Sequence, residues 1–384
     1  MTRIDLDANA TVPVLPGVWE AMRSSAEGAY GNPSSAHAAG RQARQGLEAA
    51  RETVARILGA FPDEVIFTSG ATEANNLALF GLAGGSAGHI ITSRLEHPCV
   101  IGPVEALSNR GWAVEWLPVT SRGQVTTTDL ATRLRQNTRI AAVMLANHET
   151  GAIQPVAEIT SLLPAGVALH CDAAQAVGKI PVDFHALGAT TLSLSAHKFG
   201  GPVGAGTLLV KRGTVLRPQT FGGHQQRGIR PGTEPVVLAV GMAKALELAT
   251  AEPAVARTKP ESLRSLLFGT LRDAVSPVVR NGPEIGAADV IPTTLNVSFP
   301  GCRADVLLMT LDLDGIACST GSACSSGSLL PSPVLRAMGI PDDVLRSAIR
   351  FSFTSDRTEE EIVEAARRIA ACVARVRGNM SRPS

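Results

Sequence analysis

Short apolar runs alternate with longer stretches of helical patterning through the first two thirds of the chain. This alternation limits the possible folds more than any other feature. Residues 64–68 (EVIFT) read as a strand, closed by the turn Ser69-Gly70-Ala71-Thr72, with a helix from about Glu73. Residues 89–93 (HIITS), 113–119, 140–146 (IAAVMLA), 167–171 (VALHC), 191–195 and 206–211 repeat the strand signal. Helical patterning occupies residues 34–58 and 156–163, among others. Strands separated by helices are joined by crossovers, so the pattern predicts an α/β domain with a largely parallel sheet and helices on both faces.

Beyond residue 260 the pattern changes to a helix, strands near 278–281 and 293–299, and an Ala- and charge-rich helix at 358–377. That order suits a smaller α+β domain. The stretch 251–260 (AEPAVARTKP) is the best candidate for a linker, and the strand-like start Ile4-Asp5-Leu6-Asp7 fits the smaller domain. The expected division is a large domain over 13–252 and a small one formed by 1–12 and 253–384. With 35 basic and 34 acidic residues, the formal net charge is +1. This leaves no electrostatic footprint for nucleic acid or an anionic membrane. The six cysteines form no CxxC pair and no zinc-like cluster with histidine, which fits reduced thiols in a cytoplasm. No signal-peptide stretch and no membrane-spanning apolar run is expected.

Open α/β sheets place their sites at strand ends. Lys198 follows the strand at 191–195 and precedes the small-residue run 200–206, so its amine can reach a cleft. A lysine so placed can form a Schiff base once burial or a cationic neighbour lowers its pKa. The turn 69–72 can hold a phosphate on backbone N–H groups and a helix dipole, or serve as an ordinary helix cap. Asp172 ends another strand. Beneath a pyridine nitrogen it would keep that nitrogen protonated; read alone, it is equally a helix cap. Gln175, one turn on, can bond a ring oxygen. His97 can stack on a flat ring or exchange protons, and Asn147 and His148 follow a further apolar run. A phosphate cup, a ring-nitrogen carboxylate and a lysine are what pyridoxal 5'-phosphate (PLP) requires. The run 201–206 precedes a strand instead of opening a helix and so fails as a dinucleotide-binding loop.

Cys324 lies in the Gly- and Ser-rich run 315–328. A thiol with so little apolar sequence around it reads as a nucleophile, whereas Cys318, closer to a strand end, reads as packed. Arg350 sits in an alternating strand pattern, where it either faces solvent or grips a carboxylate. Residues 222–234 read as a long functional or interface loop.

Together these residues resemble the NifS/IscS-type cysteine desulfurases of the class V aminotransferase group, which are fold-type I PLP enzymes. The matching strings are DANAT at 7–11, GNPSSAH at 31–37, FTSGATEANN at 67–76, EH at 96–97 and DAAQAVGK at 172–179. SAHK at 195–198, RGIRPGTE at 227–234, STGSACSSGS at 319–328 and RFS at 350–352 continue them in family order. The resemblance implies PLP as a Schiff base on Lys198, Asp172 at the ring nitrogen, Gln175 at the ring hydroxyl and His97 stacked on the ring. Ala71, Thr72, Ser195 and His197 would hold the phosphate, with Thr233 reaching in from a second subunit of a homodimer. Arg350, with Asn147 and His148, would bind the substrate. Cys324 would take sulfur from L-cysteine as a persulfide, leaving L-alanine, and pass it to an Fe–S scaffold or a thiolation protein. Lys198, His97 and Cys324 would be the catalytic set. The chain departs from the family at His148, where an asparagine is usual. Selenocysteine lyase, aminotransferase and a non-catalytic scaffold are the alternatives.

Overall fold

The computed structural model describes residues 2–28, 30–321 and 331–380, with side chains at 253–256 and 379–380 left aside. The apolar runs become the strands Val65–Thr68, His89–Ser93, Ala113–Leu117, Thr138–Ala142, Ala168–Asp172, Thr191–Ser195 and Gly206–Val210. They form one seven-stranded sheet. From one edge the strands starting at residues 65, 206, 191, 168, 138, 89 and 113 follow in that order. The strand Gly206–Val210 runs antiparallel to both neighbours, and every other pairing is parallel. Six of these strands are buried at every residue or all but one, as expected when helices cover both faces of a sheet.

The run 140–146 departs from its expected boundaries. The strand ends at Ala142, and the chain then bends while Val143 and Leu145 still donate N–H bonds to the carbonyls of His170 and Asp172. That bend carries residues 144–148 across the ends of the neighbouring strands. The expected linker at 251–260 is also different. The helix Pro253–Ala274 starts within three residues of the end of the helix Val236–Thr250. Proline is tolerated in the first turn of a helix because its missing N–H would be unpaired there anyway. Further along, Leu263, Leu267 and Leu271 recur at helical spacing and are buried, which outweighs the bond lost at Pro260.

Those leucines belong to a second apolar core, separate from the cores that flank the large sheet. It also contains Phe299, Phe351, Phe353, Ile362 and Ile369. Its antiparallel sheet pairs Thr294–Ser298 with Ala348–Ser352 on one side and Val279–Asn281 on the other. The first strand, Ile4–Asp5, pairs in parallel with Ile316–Ala317, so the start of the chain packs with its last third. Residues 7–11 then run from this second unit to the ends of the large sheet, where Val12 N–H bonds to the His197 carbonyl.

Candidate active site

A cleft of about 330 Å³ opens at the carboxyl ends of the parallel strands. Its walls include Asn9, Ala71, Thr72, His97, His148, Asp172, Gln175, Ser195, His197, Lys198 and Arg350. Nearly every expected site residue is thus brought to one place. A hollow of about 860 Å³ elsewhere lacks Lys198, Asp172 and His97, so size does not mark the chemistry here.

Lys198 lies just past the strand Thr191–Ser195, on a single 3-10 turn. Its Nζ donates to the carbonyls of Asn9 and Ala10, at 2.7 and 3.0 Å. The loop bearing the DANAT string therefore fixes the amine at the cleft floor. A second lysine, Lys179, is buried nearby and donates to Asn9 Oδ1 at 2.7 Å and to Gln175 Oε1 at 2.5 Å. Burial, then Lys198 and Arg350, push its pKa well below the ordinary range. Gln175 Nε2 donates to the Asn9 carbonyl at 3.0 Å, so Asn9 joins both amines and the amide.

Asp172 is held from three directions. Asn75 Nδ2 donates to its Oδ2 at 2.8 Å, and the Ala174 N–H donates to Oδ1 at 2.9 Å. Cys99 Sγ lies 3.8 Å from Oδ2. Asn75 is itself locked. Its Oδ1 lies 2.9 Å from His170 Nε2, and the Ser193 hydroxyl donates to the same oxygen. Because Asn75 Oδ1 can only accept, the His170 proton is on Nε2, and Nδ1 accepts from the Thr191 hydroxyl at 2.9 Å. Burial lowers the His170 pKa to about 4, so this chain stays neutral and ends at one carboxylate. Asn75 and His170 were not singled out from the sequence, although Asn75 lies inside the FTSGATEANN string. Their partners are remote in the chain, and no local pattern marks them.

The helix Ala71–Ala83 points its start at the cleft. Its cap residue is Gly70, with φ 155°, and no side chain among the described residues caps its leading N–H groups. A Cβ on Gly206 would come within 2.4 Å of Gly70 Cα, so glycine is needed there for the turn to approach the adjacent strand. Ser195 and His197 flank the same spot. Burial, then Lys198 and Lys179, lower the His197 pKa to about 4. An uncapped helix start beside hydroxyls, a lysine in mid-cleft and a braced carboxylate opposite suit an anionic, ring-bearing aldehyde in donor set and charge. They fit PLP.

His97 caps the helix Pro98–Ser108, its Nδ1 accepting the Cys99 N–H at 3.1 Å. That bond leaves the ring proton on Nε2. Burial is the largest influence on His97 and lowers its pKa. Burial also pushes the Cys99 thiol up, so it is not a thiolate.

His148 reaches the cleft and meets His97 edge to face, with ring centroids 5.2 Å apart. Asn147 does not reach it. Its Oδ1 accepts from the Glu149 and Thr150 N–H groups and the Thr150 hydroxyl, and its Nδ2 donates to the Leu95 carbonyl. Its polar atoms are used in shaping the turn that presents His148. Arg350 is 2% exposed and fixed by the His148 and Gly321 carbonyls through Nη1, and by Asp7 Oδ1 through Nη2. Its Nε is buried without a partner among the described residues. Thr233 is exposed and does not line the cleft of its own chain. Cys318 packs beside the second core, and burial, then Asp7, push its thiol up. Cys324 lies outside the described residues. No described group of His, Cys, Asp or Glu residues is arranged to hold a metal ion.

Glu96, next to His97, is fully buried. It accepts the Met144 N–H at 2.9 Å and the Ser93 hydroxyl at 3.3 Å, and its Oε2 has no hydrogen-bond partner among the described residues. Burial raises its pKa from 4.5 to about 8. In the unfolded chain this carboxyl loses its proton near its ordinary value, so between about pH 5 and pH 8 the folded form binds the extra proton and stability falls as pH rises. Glu96→Gln is expected to flatten that fall, by roughly 3 kcal/mol between these limits. Urea midpoints across the range check it, and an unchanged slope in the variant contradicts it.

The class V aminotransferase family profile matches residues 4–364, and the chain belongs to that family. The cysteine desulfurase IscS of Dictyoglomus turgidum is 41% identical over 361 residues, 93% of this chain and 91% of that protein. Within the family the chain is therefore one of the NifS/IscS-type cysteine desulfurases. A solved NifS-like protein superposes with a TM-score of 0.91 at 36% identity, covering 97% of this chain and all of that one. SspA, solved in complex with cysteine, superposes at 0.81 with 32% identity, covering 93% of this chain and 100% of its own.

Proposed function

We propose that the chain removes sulfur from L-cysteine with PLP held on Lys198, and carries that sulfur on Cys324. The observation that supports this most is the meeting of Lys198, Asp172 and the uncapped helix start at Ala71 in one cleft. The helix start, with Thr72, Ser195 and His197, would hold the phosphate, completed by Thr233 of a second copy in a homodimer. Gln175 would bond the ring hydroxyl, and His97 would lie on the ring. When bound, PLP supplies an electron-poor ring that stabilises negative charge at the substrate's α-carbon. Asp172, braced by Asn75, keeps the ring nitrogen's proton in place.

Each remaining step falls to a side chain of this protein. Arg350 and His148 orient the substrate by its carboxylate. Lys198 takes the α-proton and returns a proton to carbon. His97, with Nδ1 occupied by a backbone N–H, offers Nε2 for proton exchange near the sulfur. The Cys324 thiolate attacks the substrate sulfur, so that an S–S bond forms as the C–S bond breaks. L-cysteine and the Cys324 thiol become L-alanine and a Cys324 persulfide, with no outside oxidant or reductant. Its acceptor would be an Fe–S scaffold or a thiolation protein, in the cytoplasm. No described helix is long and apolar enough to cross a membrane. Brief exposure to L-cysteine followed by mass spectrometry is expected to find one added sulfur atom on the peptide bearing Cys324. Sulfur on another cysteine, or on none, contradicts the assignment.

A further inference from the structure

His148 in the cleft wall and Glu149 just behind it are adjacent buried residues whose unpartnered polar atoms face one another. His148 is 5% exposed, and neither ring nitrogen has a hydrogen-bond partner among the described residues. Glu149 is fully buried. The Ser332 hydroxyl donates to its Oε2 at 2.6 Å, while its Oε1 has no hydrogen-bond partner among the described residues. That orphaned oxygen lies 3.7 Å from His148 Nε2, longer than a formed hydrogen bond but within reach of a side-chain rotation. The third orphan is Arg350 Nε, on the guanidinium whose Nη1 bonds to the His148 carbonyl at 3.0 Å.

We propose that Glu149, in its acid form, fixes the tautomer of His148 so that this ring and Arg350 together hold the substrate carboxylate. With Oε2 accepting from Ser332, the acid proton belongs on Oε1 and is given to His148 Nε2. A neutral imidazole that accepts at Nε2 carries its proton on Nδ1, which becomes a donor. Nδ1–H and Arg350 Nε are then two buried donors in want of an acceptor, and a carboxylate supplies two. Glu149 is the positioning residue and His148 the contact. This rests on the substrate reading above and adds a residue that sits beyond the cleft wall.

The arrangement depends on pH. Burial, then His97, Arg350 and Lys198, keep His148 neutral. Burial raises the Glu149 pKa to about 7, against the opposing pull of its Ser332 bond and of Arg350. Asp7, the other acid on Arg350, is also pushed up by burial. Once Glu149 ionises it draws the imidazole proton to Nε2, leaving a lone pair on Nδ1. It also adds a negative charge beside the carboxylate site. Both changes weaken carboxylate binding as pH rises through this window.

The test is calorimetric titration of the holoenzyme with propionate at about pH 6 and about pH 8, with propionamide as the uncharged control. Affinity for propionate is expected to fall about tenfold, the worth of one charge-assisted hydrogen bond. Propionamide is expected to show no change. Glu149→Gln cannot ionise and is expected to keep one propionate affinity at both pH values. His148→Asn, which has no tautomers, is expected to keep only the smaller part of the fall that comes from the Glu149 charge, and a fall as large as the wild type's in this variant overturns the proposal should the first variant fail to fold. A pH-independent wild-type affinity, an equal fall for propionamide, or a pH dependence that survives in Glu149→Gln overturns the proposal. If these titrations fail while alanine still forms from L-cysteine, only this inference is lost. If no alanine forms, the substrate reading falls, and the propionate data still report on the three side chains.

Discussion

Lys198→Ala is expected to abolish covalent attachment of PLP and to lower alanine formation from L-cysteine by about three to four orders of magnitude. The size follows from position. The Lys198 amine is the group fixed at the cleft floor by two backbone carbonyls, and it serves both as cofactor anchor and as proton carrier. Lys179 is the obvious substitute, yet its Nζ is tied to Asn9 Oδ1 and Gln175 Oε1. Rescue by Lys179 would require breaking both bonds and is not expected. The absorption of lysine-bound PLP gives a readout independent of turnover. It should vanish in Lys198→Ala while far-ultraviolet circular dichroism remains that of the wild type. A variant that keeps the absorption has its anchor elsewhere and contradicts the assignment.

Cys324→Ser is expected to separate two halves of the site. Cofactor absorption and its response to L-cysteine should persist, because the described contacts that fix Lys198 and Asp172 come from the Asn9 and Ala10 carbonyls, Asn75 and the Ala174 N–H. Alanine formation should fall by about three orders of magnitude, since a serine hydroxyl is a poor nucleophile toward sulfur. An aminotransferase working in the same cleft would have no need of that thiol. Unchanged turnover in Cys324→Ser would therefore favour transamination, and full activity with selenocysteine alone would favour a lyase. The other described thiols are poor replacements. Cys99, Cys171 and Cys318 are all held away from thiolate by burial first.

The strands of the large sheet are legible because apolar runs bounded by turns are a local signal, and so are the residues at their ends. Asp172, Lys198 and His97 each follow such a run within a few positions. The path of residues 143–148 is not legible from the run IAAVMLA. Its bend is fixed by backbone bonds to His170 and Asp172 in the next strand. The stretch 251–260 looked like a linker because of its prolines, whereas the buried leucines that make it helical lie further along. The support behind the site is the least visible part. His170 reaches Asn75 across 95 positions, and Arg350 reaches Asp7 across 343. No window of sequence contains such pairs. His148 stood out as a departure from the family string, but its orphaned neighbour Glu149 is apparent only once burial and bonding are known.

Conversion of L-cysteine to L-alanine tests the central claim most directly. Purified protein supplied with PLP and a thiol reductant is incubated with L-cysteine, and alanine and sulfide are measured against a Lys198→Ala control. The account predicts equal amounts of alanine and sulfide from the wild type and neither from the control. Alanine no higher than in the control would contradict it.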